Sequence, residues 1–285
     1  MNLTVLFETR YLPYIRRHLK PKTVAEYERL ICKAVLPRLG DRPLATLTLD
    51  DAEALHADTP GLIQANRAVT YLSGMLTYAV EHRLLAVHPC RGVRRNPEKG
   101  REFFYTPDQT RALLEAVSGW PDIRAKYVAL ELLTGVRPGE LLDSGPEWRR
   151  NSVLRTPDGK TGGRTIYLPD AACAILDGLQ PVARDVRVWV QGRGWQAVQR
   201  VCYFPSEMDL RRAWAHLCRA AGVPRARLYD LRHTFASAAL AAGQSLDVIS
   251  QLLGHRKVQT TRRYAHLAPD TALNAAAVAA ARMGA

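Results

Sequence analysis

Between Cys90 and Arg101 the chain loses its apolar periodicity. The segment reads CRGVRRNPEKGR, with two glycines, a proline and several cations. A stretch of that composition has nothing to bury and reads as a connector, so a chain of 285 residues is expected to fold as two domains, each with its own core. We expect a helical module over residues 1–95 and a second domain over 96–285. Within the first, Thr23 is the expected cap of a helix that puts Val24, Tyr27, Leu30 and Ile31 on one face. A second helix starts near Thr48 or Asp50, where acidic residues suit a positive helix end, and a third runs from Leu62 to Glu81.

In the second domain Thr106-Pro107-Asp108 has the form of a helix start, with Thr106 as cap and Pro107 at the first position. Ile123 to Thr134 is a helix closed by Gly135 as a left-handed terminus, and Pro138 opens a short one. The period changes once. Ser152–Arg155 and Arg164–Leu168 flank a turn rich in Gly, Pro and Asp, which predicts a β-hairpin. Helices are expected again near 170–179, 208–221, 230–242 with Asp230 as its cap, 246–253 and 260–267. The fold expected from this pattern is mainly α with a small β-hairpin or sheet.

The formal charge of +13 is spread along the chain instead of packed into a tail. That distribution favours a folded surface for a polyanion, most simply nucleic acid. The basic connector suits either a DNA backbone or plain solvent. Five widely spaced cysteines (Cys32, Cys90, Cys173, Cys202 and Cys218) form no metal knuckle and read as buried small residues in a reducing compartment. The start has no signal-peptide layout, and the alanine-rich end is too short to cross a membrane. The expected setting is cytoplasmic, at the nucleoid, with no membrane contact.

Chemistry concentrates in three short motifs: TGVRPGEL (134–141), YDLRH (229–233) and LGH (253–255), followed by Tyr264. Two arginines, a histidine and a tyrosine suit attack of a phenol on a phosphodiester. Negative oxygens repel nucleophiles, so fixed cations are needed where charge grows. Arginine serves best because it is planar, permanently charged and binds two oxygens at once. Taken singly, each arginine would read as a surface ion pair.

Together these motifs resemble the tyrosine recombinase family, also called phage integrases. TGVRPGEL matches the family's first arginine motif, DLRHTFAS its second, and LGHRKVQTTRRY the end of its pattern, with the family's nine positions between His255 and Tyr264 (264 minus 255). The segment GKTGGRTIYLP resembles its β-hairpin. The match covers roughly residues 100–267, and the preceding helices look similar to the family's core-binding domain. The resemblance implies a two-domain DNA clamp, with a helical, SAM-like core-binding domain followed by an integrase-type catalytic domain. It makes Arg137, Lys160, Arg232, His255 and Tyr264 catalytic and Glu140 their supporting acid, with no metal or other cofactor. Tyr264 would form a 3′-phosphotyrosine, Lys160 would protonate the leaving 5′-oxygen, and the cations would bring the phenol's pKa down from about 10. The partners implied are double-stranded DNA with specific sites and three further copies of the chain, as a homotetramer on paired sites. The segment from Pro269-Asp270 onward is expected as a helix docked into a neighbouring subunit or onto its own domain.

One position departs from the pattern. Where the family usually has histidine, three residues before the second arginine, this chain has Tyr229. A phenol donates a hydrogen bond to phosphate but accepts a proton poorly near pH 7. Tyr229 is therefore retained as a site residue with altered pH dependence. His233 is expected to pack or hydrogen-bond structurally, and Arg164 to share the backbone-phosphate contact that Lys160 would make if it were not catalytic. The short segment before the first helix leaves no room for an arm-site domain, which favours a simple recombinase. Two other readings stay open: a type IB topoisomerase-like nicking-closing enzyme, and a catalytically silent DNA-binding protein.

Overall fold

Local capping signals place most of the helices. The computed structural model describes residues 1–98, 100, 103–157, 163–190, 194–255, 260–262, 264, 277 and 280–283. Two compact units divide the chain: Met1–Gly100 together with Arg187–Ala197, and Arg101–Val186 together with Val198–Ala285. Lys160 falls outside the described residues, as does most of the expected tail helix from Pro269.

Outside Arg187–Ala197 the first unit is mainly helical. Residues 3–18 are continuously helical through Leu3–Leu6, the wider π-type turn Phe7–Tyr11 and Leu12–His18, a span the sequence pattern had not marked. The next helix, Pro21–Leu30, starts before Thr23. Proline lacks the N–H that a first turn cannot use, so Pro21 sets the start and Lys20 is the cap residue. Thr48 caps Leu49–Asp58 in a reciprocal box with Asp51. Leu62–Glu81 buries Ala65, Ala68, Leu72, Met75, Leu76 and Ala79, the spacing of one helix face. Burying Leu72, Met75 and Leu76 contributes roughly 1.5–3 kcal/mol each.

Asn66 of that helix is buried and fully engaged. Its amide donates to Asn96 O (2.9 Å) and Glu98 Oε1 (2.7 Å), and its Oδ1 accepts from Asn96 N (2.9 Å). Much of the basic connector is thereby held on the first unit by a polar side chain, where composition alone showed only a lack of apolar residues.

In the second unit Thr106 caps Pro107–Ser118 with Gln109, and Ile123–Thr134 ends at Gly135 with φ 59°. Strands Arg149–Arg150, Val153–Arg155 and Thr165–Tyr167 form an antiparallel sheet in that order, with Leu154 opposite Ile166. Leu154 and Ile166 point into a core that includes Tyr127, Trp148, Phe204, Trp214 and Leu217. A second hairpin, Val182–Val190 with Gly194–Cys202, was not anticipated. Its signal is the alternation of Val186, Val188 and Val190 with Asp185, Arg187 and Trp189. No helix among the described residues is long and apolar enough to cross a membrane.

Candidate active site

Three arginines converge on one helix end. Leu246–Leu253 stops at Gly254, which takes the left-handed conformation at φ 62°. The His255 N–H folds back to Ser250 O at 2.9 Å, closing a Schellman-type turn. The last carbonyls of such a helix have no partner along the axis and carry the negative end of its dipole. Here Leu252 O accepts from Arg164 Nη1 (3.2 Å), Leu253 O from Arg232 Nη2, and Gly254 O from Arg137 Nη2 (2.9 Å). A negative helix end lined with backbone oxygens thus gathers three cations that would otherwise repel one another.

Each guanidinium has a second anchor. Arg137 occupies the cap position of Pro138–Leu142 and donates to Glu140 Oε1 (2.7 Å). Arg164, on the strand side of the first hairpin, turns inward and donates through Nε (2.9 Å) and Nη2 (2.6 Å) to Glu140 Oε2. Glu140 therefore orients two arginines. Burial works against its charge, yet Arg164 and Arg137 hold the carboxyl below its usual range. Burial pulls the Arg164 pKa down, with Glu140 opposing.

Arg232 is only 2% exposed and donates through Nη1 to Gly135 O at 2.6 Å. Burial, then the Arg137 and Arg164 cations, pull its pKa down to about 10, so at neutral pH it remains charged. No carboxylate among the described residues forms an ion pair with it; its two Nη groups are held by backbone carbonyls. Asp230, expected as the helix cap, is instead the first residue of Asp230–Ala241 with Tyr229 at the cap position. The Asp230 carboxylate is buried and accepts from the Arg227 backbone N–H (3.0 Å) and guanidinium (2.9 Å).

The histidine and tyrosine join through Thr261. His255 Nδ1 lies 2.8 Å from Thr261 Oγ1, and Thr261 O accepts from Tyr264 N at 3.0 Å. The Tyr264 ring is buried at 5% exposure beside Ala236, Leu240, Ile249 and Leu253, and its hydroxyl is 2.6 Å from His233 Nδ1. Tyr229, 42% exposed, meets the His233 ring edge-on at 5.6 Å. Arg137, Glu140, Tyr229, Arg232, His255 and Tyr264 thus fall within one network of contacts; Lys160 lies outside the described residues. Sequence reasoning missed Thr261 and the His233–Tyr264 contact. The only hint was a histidine adjoining Arg232, since a threonine among TTRR carries no local signal.

Glycine is required twice. A Cβ on Gly135 would lie 2.5 Å from Phe235 Cδ1, and one on Gly254 would collide with Arg164 Cδ. Gly254→Ala is expected to cost about 1–2 kcal/mol from the left-handed backbone alone and to displace Arg164 from Glu140. Thermal unfolding together with DNA affinity checks this, and an unchanged melting temperature would contradict it.

The phage integrase family profile matches residues 104–271. A tyrosine recombinase XerC-like protein of Caldanaerobacter subterraneus subsp. tengcongensis is 23% identical over 248 residues, 72% of this chain and 62% of that protein. The integrase of Salmonella phage P22 is 40% identical over 191 residues, 61% of this chain and 46% of the phage protein. The chain therefore spans less than two thirds of the length of either relative. Among solved structures, a lambda integrase dimer bound to a COC′ core site superposes with a TM-score of 0.69 at 21% identity, covering 93% of this chain and 95% of that one. That likeness establishes the integrase fold.

Proposed function

From the premise that the chain belongs to the phage integrase family, we propose that it is a tyrosine recombinase that cuts and rejoins DNA at specific sites through a 3′-phosphotyrosine. The observation that carries this reading is the convergence of Arg137, Arg164 and Arg232 on one helix end, in the same network of contacts as the Tyr264 phenol.

In the proposed reaction the guanidiniums of Arg137 and Arg232, with His255, take the non-bridging oxygens of the scissile phosphate as charge grows there. Glu140 and Arg164 position Arg137. Tyr264 Oη attacks phosphorus, and the 5′-oxygen leaves with a proton from Lys160. The 5′-hydroxyl of a partner strand reverses the step. Bond energy is conserved in the phosphotyrosine, so the reaction needs no ATP, and the cationic side chains take the charge-stabilising role that a metal would otherwise fill. The lambda integrase of like fold is a dimer on its core site. We extend that multiplicity to a tetramer on paired sites, with the C-terminal segment passing to a neighbour.

The test uses nicked suicide duplexes from the DNA flanking the gene, resolved on denaturing gels, with the DNA-linked peptide identified by mass spectrometry. A covalent species on the peptide that contains Tyr264 is the expected result. Specific binding without any covalent species would leave a silent DNA-binding protein. Relaxation of supercoils without paired sites would instead mark a nicking-closing enzyme.

Tyr229→His introduces an imidazole that titrates near pH 6.5 at a 42%-exposed position. The pH–cleavage profiles of the two proteins are expected to differ between about pH 6 and 7. Coincident profiles would remove Tyr229 from the reaction.

A further inference from the structure

The Tyr264 phenol is in contact with a histidine to which the proposed chemistry gives no task. His233 Nδ1 and Tyr264 Oη lie 2.6 Å apart, with ring centroids at 5.7 Å and planes at 55°. Both residues are buried. The bond is at the short end of the range and has two forms: the phenol donates to a bare Nδ1, or Nδ1–H donates to the phenol. Only the first can relieve the phenol of its proton.

A phenol with a pKa of about 10 is a poor nucleophile at neutral pH, whereas an imidazole near 6.5 is a competent acceptor. The position is also rigid. His233 follows Arg232 on Asp230–Ala241, and Arg232 ties that helix to Gly135 O and Leu253 O. The Tyr229 ring closes on His233 from the helix start. Base and phosphate-binding cation are thus consecutive residues of one fixed element.

Resting on the reading of Tyr264 as nucleophile, we propose that His233 is the general base of strand cleavage. Its Nδ1 takes the phenolic proton as Oη bonds to phosphorus. The P–O5′ bond breaks, and the 5′-oxygen leaves as a hydroxyl with a proton from a separate acid, assigned above to Lys160. On resealing, the incoming 5′-hydroxyl gives its proton to the acid deprotonated in cleavage and displaces Oη, and the His233 imidazolium returns its proton to Tyr264. Among the described residues, the titratable and charged groups around His233 include Tyr229 and Arg232 on its own helix, Tyr264 opposite and, through Thr261, His255. The negative charge gained at phosphorus favours the imidazolium during attack.

Two measurements test this. Nitrogen-15 imidazole spectra of the full chain at pH 7.5 should show His233 protonated at Nε2 and bare at Nδ1, with the Nδ1 signal shifted in Tyr264→Phe. A proton on Nδ1 overturns the proposal without touching the recombinase reading. On a suicide duplex that the wild type cleaves, His233→Asn keeps an acceptor near the place of Nδ1 but no base. Covalent capture is expected to slow by about 10²–10⁴-fold, with a rate that keeps rising with pH where the wild type levels off. Equal rates, or a slower rate with the wild-type pH profile, overturn the general-base role. Absence of capture by the wild type itself sinks the recombinase reading and this proposal with it.

Discussion

Tyr264→Phe is expected to leave DNA binding within about twofold of wild type and to reduce covalent capture by at least ~10⁴-fold, the scale of removing a covalent nucleophile. Phenylalanine keeps the ring packed against Ala236, Leu240, Ile249 and Leu253 and deletes only the hydroxyl. The His233 Nδ1 contact is lost with it, for about 1 kcal/mol of stability. Tyr229 is a poor substitute nucleophile, because it sits at the opposite end of the His233 contact and belongs to the helix start. Gel-shift titration and denaturing gels on one nicked duplex read both quantities. A covalent band surviving in Tyr264→Phe would assign the nucleophile elsewhere.

The second large effect concerns stability. Glu131, on Ile123–Thr134, is 1% exposed, and neither carboxyl oxygen has a hydrogen-bond partner among the described residues. The nearby Tyr127 hydroxyl donates to Pro138 O at 2.7 Å. Burial pushes the Glu131 carboxyl up to about 8, against a smaller opposing pull from Tyr127. The folded protein therefore keeps a proton that the unfolded chain has lost from about pH 4.5 upward. Its stabilising contribution is whole below that pH. It falls by about 1.4 kcal/mol per pH step towards pH 8, and above that the folded state ionises too and the loss levels off.

Glu131→Gln should remove this slope. Relative to wild type it should become more stable as pH rises, with a ceiling of about 5 kcal/mol near pH 8. Urea titrations of both proteins at pH 5, 6.5 and 8 isolate the effect, and a constant difference between them would refute it.

What was legible in the sequence is what local chemistry decides. Leu62–Glu81, the Thr106 cap, the Gly135 stop and Leu246–Leu253 depend on residues within a turn or two of each other. Thr23 and Asp230 misled as caps. At Thr23 a proline two residues earlier had already begun the helix, and at Asp230 the carboxylate served Arg227 instead. The hairpin of Val182–Val190 with Gly194–Cys202 is hard to read in sequence because its polar faces dilute the valine alternation. In the site, the residue types of Arg137, Glu140, Arg232, His255 and Tyr264 could be read in order. Their anchors could not: Arg232 meets Gly135 across 97 positions and Arg164 meets Leu252 across 88. The inward turn of Arg164, the Thr261 link and the His233 contact are decided by tertiary neighbours alone.

The helix end that seats the three arginines also predicts how this site tolerates change. Its acceptors are the carbonyls of residues 252–254, which every amino acid supplies alike. Exchanging Leu252 for another residue alters packing and leaves the acceptor in place. Inserting or deleting one residue within 246–253 rotates that rim by about 100° and moves it about 1.5 Å along the axis, taking all three seats away from their guanidiniums at once. A saturation library across this helix should therefore be permissive to substitution at the exposed Asp247, Val248 and Gln251 and nearly closed to single-residue length changes. The information the helix contributes to the site is its length.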